Sequence, residues 1–153
     1  MKQQKDKGFT IIEVVLVLAI AGLIFLMVFI ALPALQRSQR DTQRRNDLSR
    51  AQTAVNNYQT NNRNKLPTFD NNFIQKYLIT GANDSFNDPN GTPYAFVEGD
   101  AENKYSGENA NIYYTIGSVC SGEEDNPLRG KQGAGKVALQ YKLEGGGLAC
   151  VSN

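Results

Sequence analysis

The chain contains no histidine and only two cysteines, Cys120 and Cys150, among its 153 residues. Without histidine, imidazole-based acid–base catalysis and imidazole metal ligation are excluded. Two thiols are too few for a structural zinc site, which takes four Cys or His ligands. A phosphate-binding loop is missing too. The stretch Gly130-Lys131-Gln132-Gly133-Ala134-Gly135-Lys136 is rich in glycine, but Val137 follows it and the spacing does not fit a P-loop. These absences argue against an enzyme, and no cofactor is expected.

Charge is missing over a long interval. Residues 14–32 carry no charged or strongly polar side chain, about the length a helix needs to cross a bilayer core of roughly 30 Å at 1.5 Å per residue. Fourteen of these residues are Val, Leu, Ile or Phe, and together they favour insertion by about 4–8 kcal/mol. Glu13 stands at the mouth of this run, and a single acidic residue near a helix end costs less than the run contributes. Insertion therefore holds with Glu13 in place. One reading has the carboxylate reaching to the interface or stabilising a helix N-terminus. The other makes it functional, as intramembrane carboxylates are by default.

The leader ahead of this run is basic, with Lys2, Lys5 and Lys7. An ordinary secretory signal has an apolar core of about 7–15 residues with a small-residue cleavage site after it. Here the core is longer and runs through Pro33 into a polar helical sequence. The processing signal precedes the core instead: Gly8 lets a protease approach the backbone closely. A cut after Gly8 removes the leader and keeps the hydrophobic segment.

Lys7-Gly8-Phe9-Thr10, followed by Ile11-Ile12-Glu13-Val14-Val15 and the apolar run containing Gly22 and Pro33, resembles the N-terminus of type IV prepilins and of the pseudopilins of type II secretion and DNA-uptake systems. The resemblance implies cleavage between Gly8 and Phe9 by a membrane-embedded prepilin peptidase, with methylation of the new Phe9 amine. It implies that Glu13 meets the amine of an incoming subunit during assembly and sets axial register. It also implies loss of helical order around Gly22 and Pro33 in a filament. The implied partners are copies of the chain itself, the prepilin peptidase, an assembly ATPase and a membrane platform protein. The precursor would sit in the cytoplasmic membrane with its leader inside, and the product would be a surface filament with helices in its core and sheets outward. A pseudopilin is the alternative within the family. A membrane-anchored extracytoplasmic binding domain is the alternative outside it, but leaves Gly8-Phe9-Thr10 and Glu13 unexplained.

With the distal domain outside the membrane, Cys120 and Cys150 read as one disulfide. Net charge is +1, unevenly spread: residues 36–65 hold seven basic against two acidic side chains, and residues from 66 onward hold six against eleven. The basic stretch (Arg37, Arg40, Arg44, Arg45, Arg50) lacks aromatic platforms for single strands, since Tyr58 is the only aromatic between Phe29 and Phe69. It reads as a solvated face that contacts lipid or adjacent subunits. A nucleic-acid partner would belong only to a DNA-uptake role.

The fold expected is α+β: a long N-terminal helix packed on a small C-terminal antiparallel sheet, pilin-like. Its segments are a leader at 1–8, a membrane or filament-core helix at 9–35, and an amphipathic continuation at 36–62. A connecting loop at 63–93 and a sheet with a disulfide-closed loop at 94–153 complete it. Leu48, Ala51, Val55 and Tyr58 form an apolar stripe on the continuation, and a short helix is expected at 71–78. Asn87-Asp88-Pro89-Asn90-Gly91-Thr92-Pro93-Tyr94 is a dense turn sequence, similar to one found ahead of the sheet in many pseudopilins and some pilins. Strands are expected at 94–97, 112–119, 137–143 and 148–151, with Ala138, Gln140 and Lys142 on the outer face. Asp84, Asp88 and residues 123–125 follow no EF-hand pattern and read as solvated charge rather than calcium ligands. Asn83-Asp84-Ser85 and Asn90-Gly91-Thr92 fit the N-glycosylation pattern.

Overall fold

The computed structural model describes residues 8–81, 84–99, 110–122, 128–129 and 132–153. The lysines of the leader, Asn83 and residues 123–125 lie outside the described residues. The chain divides into two compact units, Met1–Arg37 and Ser38–Asn153. One helix, α1 (Ile11–Asn61), contributes to both.

In the first unit, α1 is helical through Gly22 and Pro33. Proline fits the helical φ but supplies no N–H, so the Phe29 carbonyl loses its usual partner. The large apolar side chains between Phe9 and Leu35 are exposed in the isolated subunit. By length and composition this helix can cross a membrane. It is apolar on every side, which in water would be an unpartnered surface.

The second unit is built on the other half of α1, which is amphipathic. Leu48, Ala51, Ala54 and Val55 are buried, and Tyr58 packs against them half-buried. Burying Leu48 and Val55 contributes about 1.5–3 kcal/mol each. The chain then leaves the helix through Arg63 and Asn64, both left-handed at φ 54° and 62°. A helical turn, α2 (Asn71–Phe73), is capped by Asp70, whose Oδ1 accepts the Phe73 N–H at 2.9 Å. It runs on as a π-helical turn, Ile74–Leu78, placing Phe73, Tyr77 and Leu78 over the helix.

Four strands form the main sheet in the order β1-β2-β5-β6: β1 (Ala95–Glu98), β2 (Asn111–Ile116), β5 (Val137–Lys142) and β6 (Leu148–Ser152). A two-stranded ribbon joins β3 (Val119–Cys120) and β4 (Leu128–Arg129). The sheet is mixed, not purely antiparallel: β1 runs parallel to β2, with Ala95 opposite Asn111. Twelve residues separate Glu98 from Asn111, about the length a crossover between parallel neighbours requires. β2–β5 and β5–β6 are antiparallel as expected.

The outer face also departs from expectation. Ala138 and Gln140 are buried, leaving only Lys142 of the three exposed. β3 lies against β5 and β6, and the Cys120 N–H donates to Ser152 Oγ at 3.2 Å. The inner face covers α1, with Ile112, Val137 and Leu139 in the core. Phe69 stacks on Tyr114 at 4.2 Å between ring centres, extending that core with aromatic area. Gln52 Nε2 donates to the Ser152 carbonyl and Gln59 Nε2 to the Gly135 carbonyl at 2.8 Å, fastening helix to strand ends.

Candidate functional site

In the first unit, Gly8 and Phe9 precede α1, and Phe9 is 89% exposed. Thr10 and Glu13 form a reciprocal cap. Glu13 Oε2 accepts the Thr10 N–H and the Thr10 hydroxyl, both at 2.8 Å, and Thr10 Oγ1 faces the Glu13 N–H at 3.4 Å. This is a capping box, which satisfies donors that a helix N-terminus leaves open. Oε1 of Glu13 has no hydrogen-bond partner among the described residues. The carboxylate is thus oriented by its own chain through one oxygen, and the other has no partner among the described residues.

In the second unit, the sequence-predicted pair Cys120 and Cys150 forms a disulfide, with Cα atoms 5.9 Å apart. It ties β3 to β6.

The basic stretch is not the uniformly solvated face expected. Arg44 is 5% exposed and Asp88 4%. Arg44 Nε and Nη2 donate to the two carboxylate oxygens of Asp88 at 2.7 and 3.1 Å, while Nη1 reaches Asp41 at 2.9 Å and Glu144 at 3.1 Å. A planar guanidinium can serve several carboxylates at once where lysine could not. Arg40 pairs with both oxygens of Glu144 at 2.8 Å. Asp41 accepts the N–H groups of Glu144 and Gly145 at 2.9 and 2.7 Å, so a carboxylate on the helix caps the β5–β6 hairpin. Asp88 also accepts the Tyr141 hydroxyl at 2.9 Å and the Asn90 N–H at 3.0 Å. Asp84 pairs with Arg50 at 3.1 Å, and Arg50 also donates to the Leu78 carbonyl at 2.8 Å. Neither Asp84 nor Asp88 is free solvated charge, and both are committed to arginine. Among the described residues no acidic cluster could hold a metal ion.

These contacts set the titration behaviour. Burial pushes the Asp88 carboxyl up, but Arg44, the Asn90 N–H and Tyr141 outweigh it and hold it below the usual range. Burial likewise pushes the Asp41 carboxyl up, but the Glu144 and Gly145 N–H groups and Arg44 outweigh it and hold it below the usual range. Arg40, then Arg44, pulls Glu144 down to about 2. Hydrogen bonding to Asp88 raises Arg44. Asp47 behaves oppositely: burial raises it, and the Tyr94 hydroxyl at 3.1 Å only partly offsets that. Its nearest cation, Arg50, is 4.0 Å away.

The sequence reading missed this network as a network. A signal was present: Asp41 and Arg44 lie upstream of Leu48, Ala51 and Val55 at three- and four-residue spacing, which places them on the buried stripe.

An apolar helix long enough to cross a membrane, opened by a Thr-Glu cap, and a small α+β domain closed by a disulfide over a mixed four-stranded sheet, make up a pilin-like architecture. Residues 3–29 match the family model of the prokaryotic N-terminal methylation motif. That motif is the signature of type IV pilins and pseudopilins, and the chain carries it at its N-terminus. It implies processing by a prepilin peptidase and assembly in a pilus-type system, and it suggests a structural subunit rather than an enzyme. With the apolar helix it fits a membrane-anchored precursor that is later exposed at the surface. No curated protein and no solved structure matches the chain.

Proposed function

We propose that the chain is a structural subunit that polymerises into a type IV pilus-like surface filament. The observation that carries this is the methylation motif at residues 3–29, leading into a helix whose apolar N-terminal half is exposed in the isolated subunit. The precursor inserts with its leader inside, and prepilin peptidase cuts between Gly8 and Phe9 and methylates Phe9. An assembly ATPase and a platform protein then extract the subunit from the membrane. The apolar helices bury one another in the filament, with local helix loss at Gly22 and Pro33. The cationic Phe9 amine of an incoming subunit pairs with Glu13 of a neighbour. The Oε1 of Glu13, without a partner among the described residues, supports this, because a carboxylate fixed through one oxygen keeps the other for a cationic donor. Breaking such a pair in an apolar setting strands a charge.

Mass spectrometry of the mature N-terminus tests processing: a start at methylated Phe9 is expected, and an intact Met1 in cells with active peptidase refutes it. Electron microscopy of sheared filaments, with peptide identification, tests polymerisation. Glu13→Ala is expected to be processed but to give few filaments; normal filament yield would sink the role given to Glu13. A pseudopilin of a secretion or DNA-uptake system is the second reading, favoured by the Asp88 turn ahead of the sheet.

A further inference from the structure

Asn90-Gly91 is the only Asn-Gly pair in the chain, and both residues are exposed. This dipeptide is chemically prone to cyclise, because glycine has no Cβ to shield its own amide nitrogen. In that step the Gly91 nitrogen attacks the Asn90 side-chain carbonyl carbon and gives up its proton. The bond to the side-chain nitrogen breaks and ammonia leaves with that proton. Water then opens the cyclic imide at either carbonyl, giving aspartate or isoaspartate. No oxidant or cofactor is needed.

The structure holds the nucleophile out of this reaction. Gly91 N–H donates to the Asp88 carbonyl at 2.7 Å, Asp88 N–H donates to the Thr92 carbonyl at 2.8 Å, and Asn90 N–H is bound by Asp88 Oδ2. Asn87 and Pro93 close the turn by a bridge. Asp88 is itself pinned by Arg44 and Tyr141. Deprotonating and swinging the Gly91 nitrogen therefore requires this turn to come off the helix.

We propose that Asn90 is a one-way modification site gated by the Arg44–Asp88 ion pair. While the turn is clamped the asparagine persists; once it opens, Asn90 converts through the imide. Isoaspartate lengthens the backbone by one methylene and adds a negative charge beside Asp88. The Asp88 N–H and the Thr92 carbonyl then lose register, and the clamp does not re-form. The conversion thus marks a subunit whose turn has opened, whatever filament the subunit belongs to.

The test is peptide mapping by mass spectrometry of the full chain in detergent at neutral pH, alongside the same chain unfolded in urea. Conversion at Asn90 is expected to be ~tenfold or more slower in the folded chain, following the population of open turn. Arg44→Met is expected to raise the folded-state rate by ~tenfold. Tyr141→Phe, which removes one donor to Asp88, is expected to raise it by ~fivefold. Equal rates in folded and unfolded chains overturn the proposal. So does an unchanged rate in both variants while their circular dichroism stays native. Should Arg44→Met fail to fold, the conservative Tyr141→Phe decides alone.

Discussion

Replacing Arg44 with methionine probes the buried network at its centre. The arginine makes four side-chain hydrogen bonds to three carboxylates and is almost wholly buried. Methionine keeps much of its volume, so the loss is electrostatic. Removing one partner of a buried ion pair costs about 3–5 kcal/mol, because the other charge remains stranded. Asp88 would keep the Tyr141 hydroxyl and the Asn90 N–H, and Asp41 would keep two backbone donors. The low end, about 3 kcal/mol, is therefore expected. For a unit of this size that corresponds to a fall in melting temperature of roughly 10 °C. The sign of the pH dependence is also fixed. Asp88 and Asp41 lie below the ordinary carboxylate value of 3.8 in the native state, and Glu144 lies at about 2. Stability from such groups is present above the unfolded value and lost as pH falls through the folded one. Without Arg44, burial dominates Asp88 and its carboxyl shifts upward. The gap between parent and variant is thus widest near neutral pH and closes on acidification. Urea titrations followed by tyrosine fluorescence measure it, since the chain has no tryptophan. A variant as stable as the parent at neutral pH, or a gap that widens in acid, refutes the reasoning.

Three further outcomes follow from the second unit. Replacing Cys120 and Cys150 together with serine opens a span of 30 residues and is expected to cost about 3–4 kcal/mol in the loop-entropy model; urea midpoints with and without reductant check it, and the double variant should not respond to reductant. Asp47→Asn is expected to raise the melting temperature at neutral pH and to change little in acid. The raised native value means that ionising Asp47 destabilises the fold as pH rises, and a neutral amide removes that cost; a lower melting temperature at neutral pH would contradict it. Gly145→Ala would bring a Cβ to 3.0 Å from Asp41 Oδ2. Displacing that carboxylate from the Gly145 N–H is expected to cost about 1–2 kcal/mol, read as a lowered thermal midpoint and faster amide exchange at Glu144 and Gly145.

Much of the fold was legible because it rests on periodicity and punctuation. The helix stripe at Leu48, Ala51 and Val55, the short helix starting at Asn71 and the positions of the four main strands follow from 3.6- and 2-residue spacing with turn residues between. The methylation motif was legible because it is a compact run of residues. The parallel β1–β2 pair was not, since period-2 alternation carries no information about strand direction. The burial of Ala138 and Gln140 was missed for a related reason: alternation shows which residues share a face, but not that β3 lies across the second face. Arg44 and Asp88 were read singly as surface charge because their partners lie 44 residues apart. Only the fold brings them together.

The network must be ionic rather than apolar for reasons its carboxylates make plain. Buried ion pairs can often be replaced by packed hydrophobic residues without loss. Here, however, Asp88 and Asp41 also accept the backbone N–H groups of Asn90, Glu144 and Gly145. These donors sit in turns, where no neighbouring strand offers a carbonyl. An apolar substitution would take the acceptor from all three; the residues are exposed, so each loss costs the net value of a hydrogen bond, about 0.5–1.5 kcal/mol. The acids are needed by the turns, and the arginines are needed because the acids are buried. That order of dependence explains why the positive charges lie on α1 and reach toward the loops. The helix faces both the Asp88 turn and the β5–β6 hairpin, so arginines placed on it hold both turns in register with the sheet.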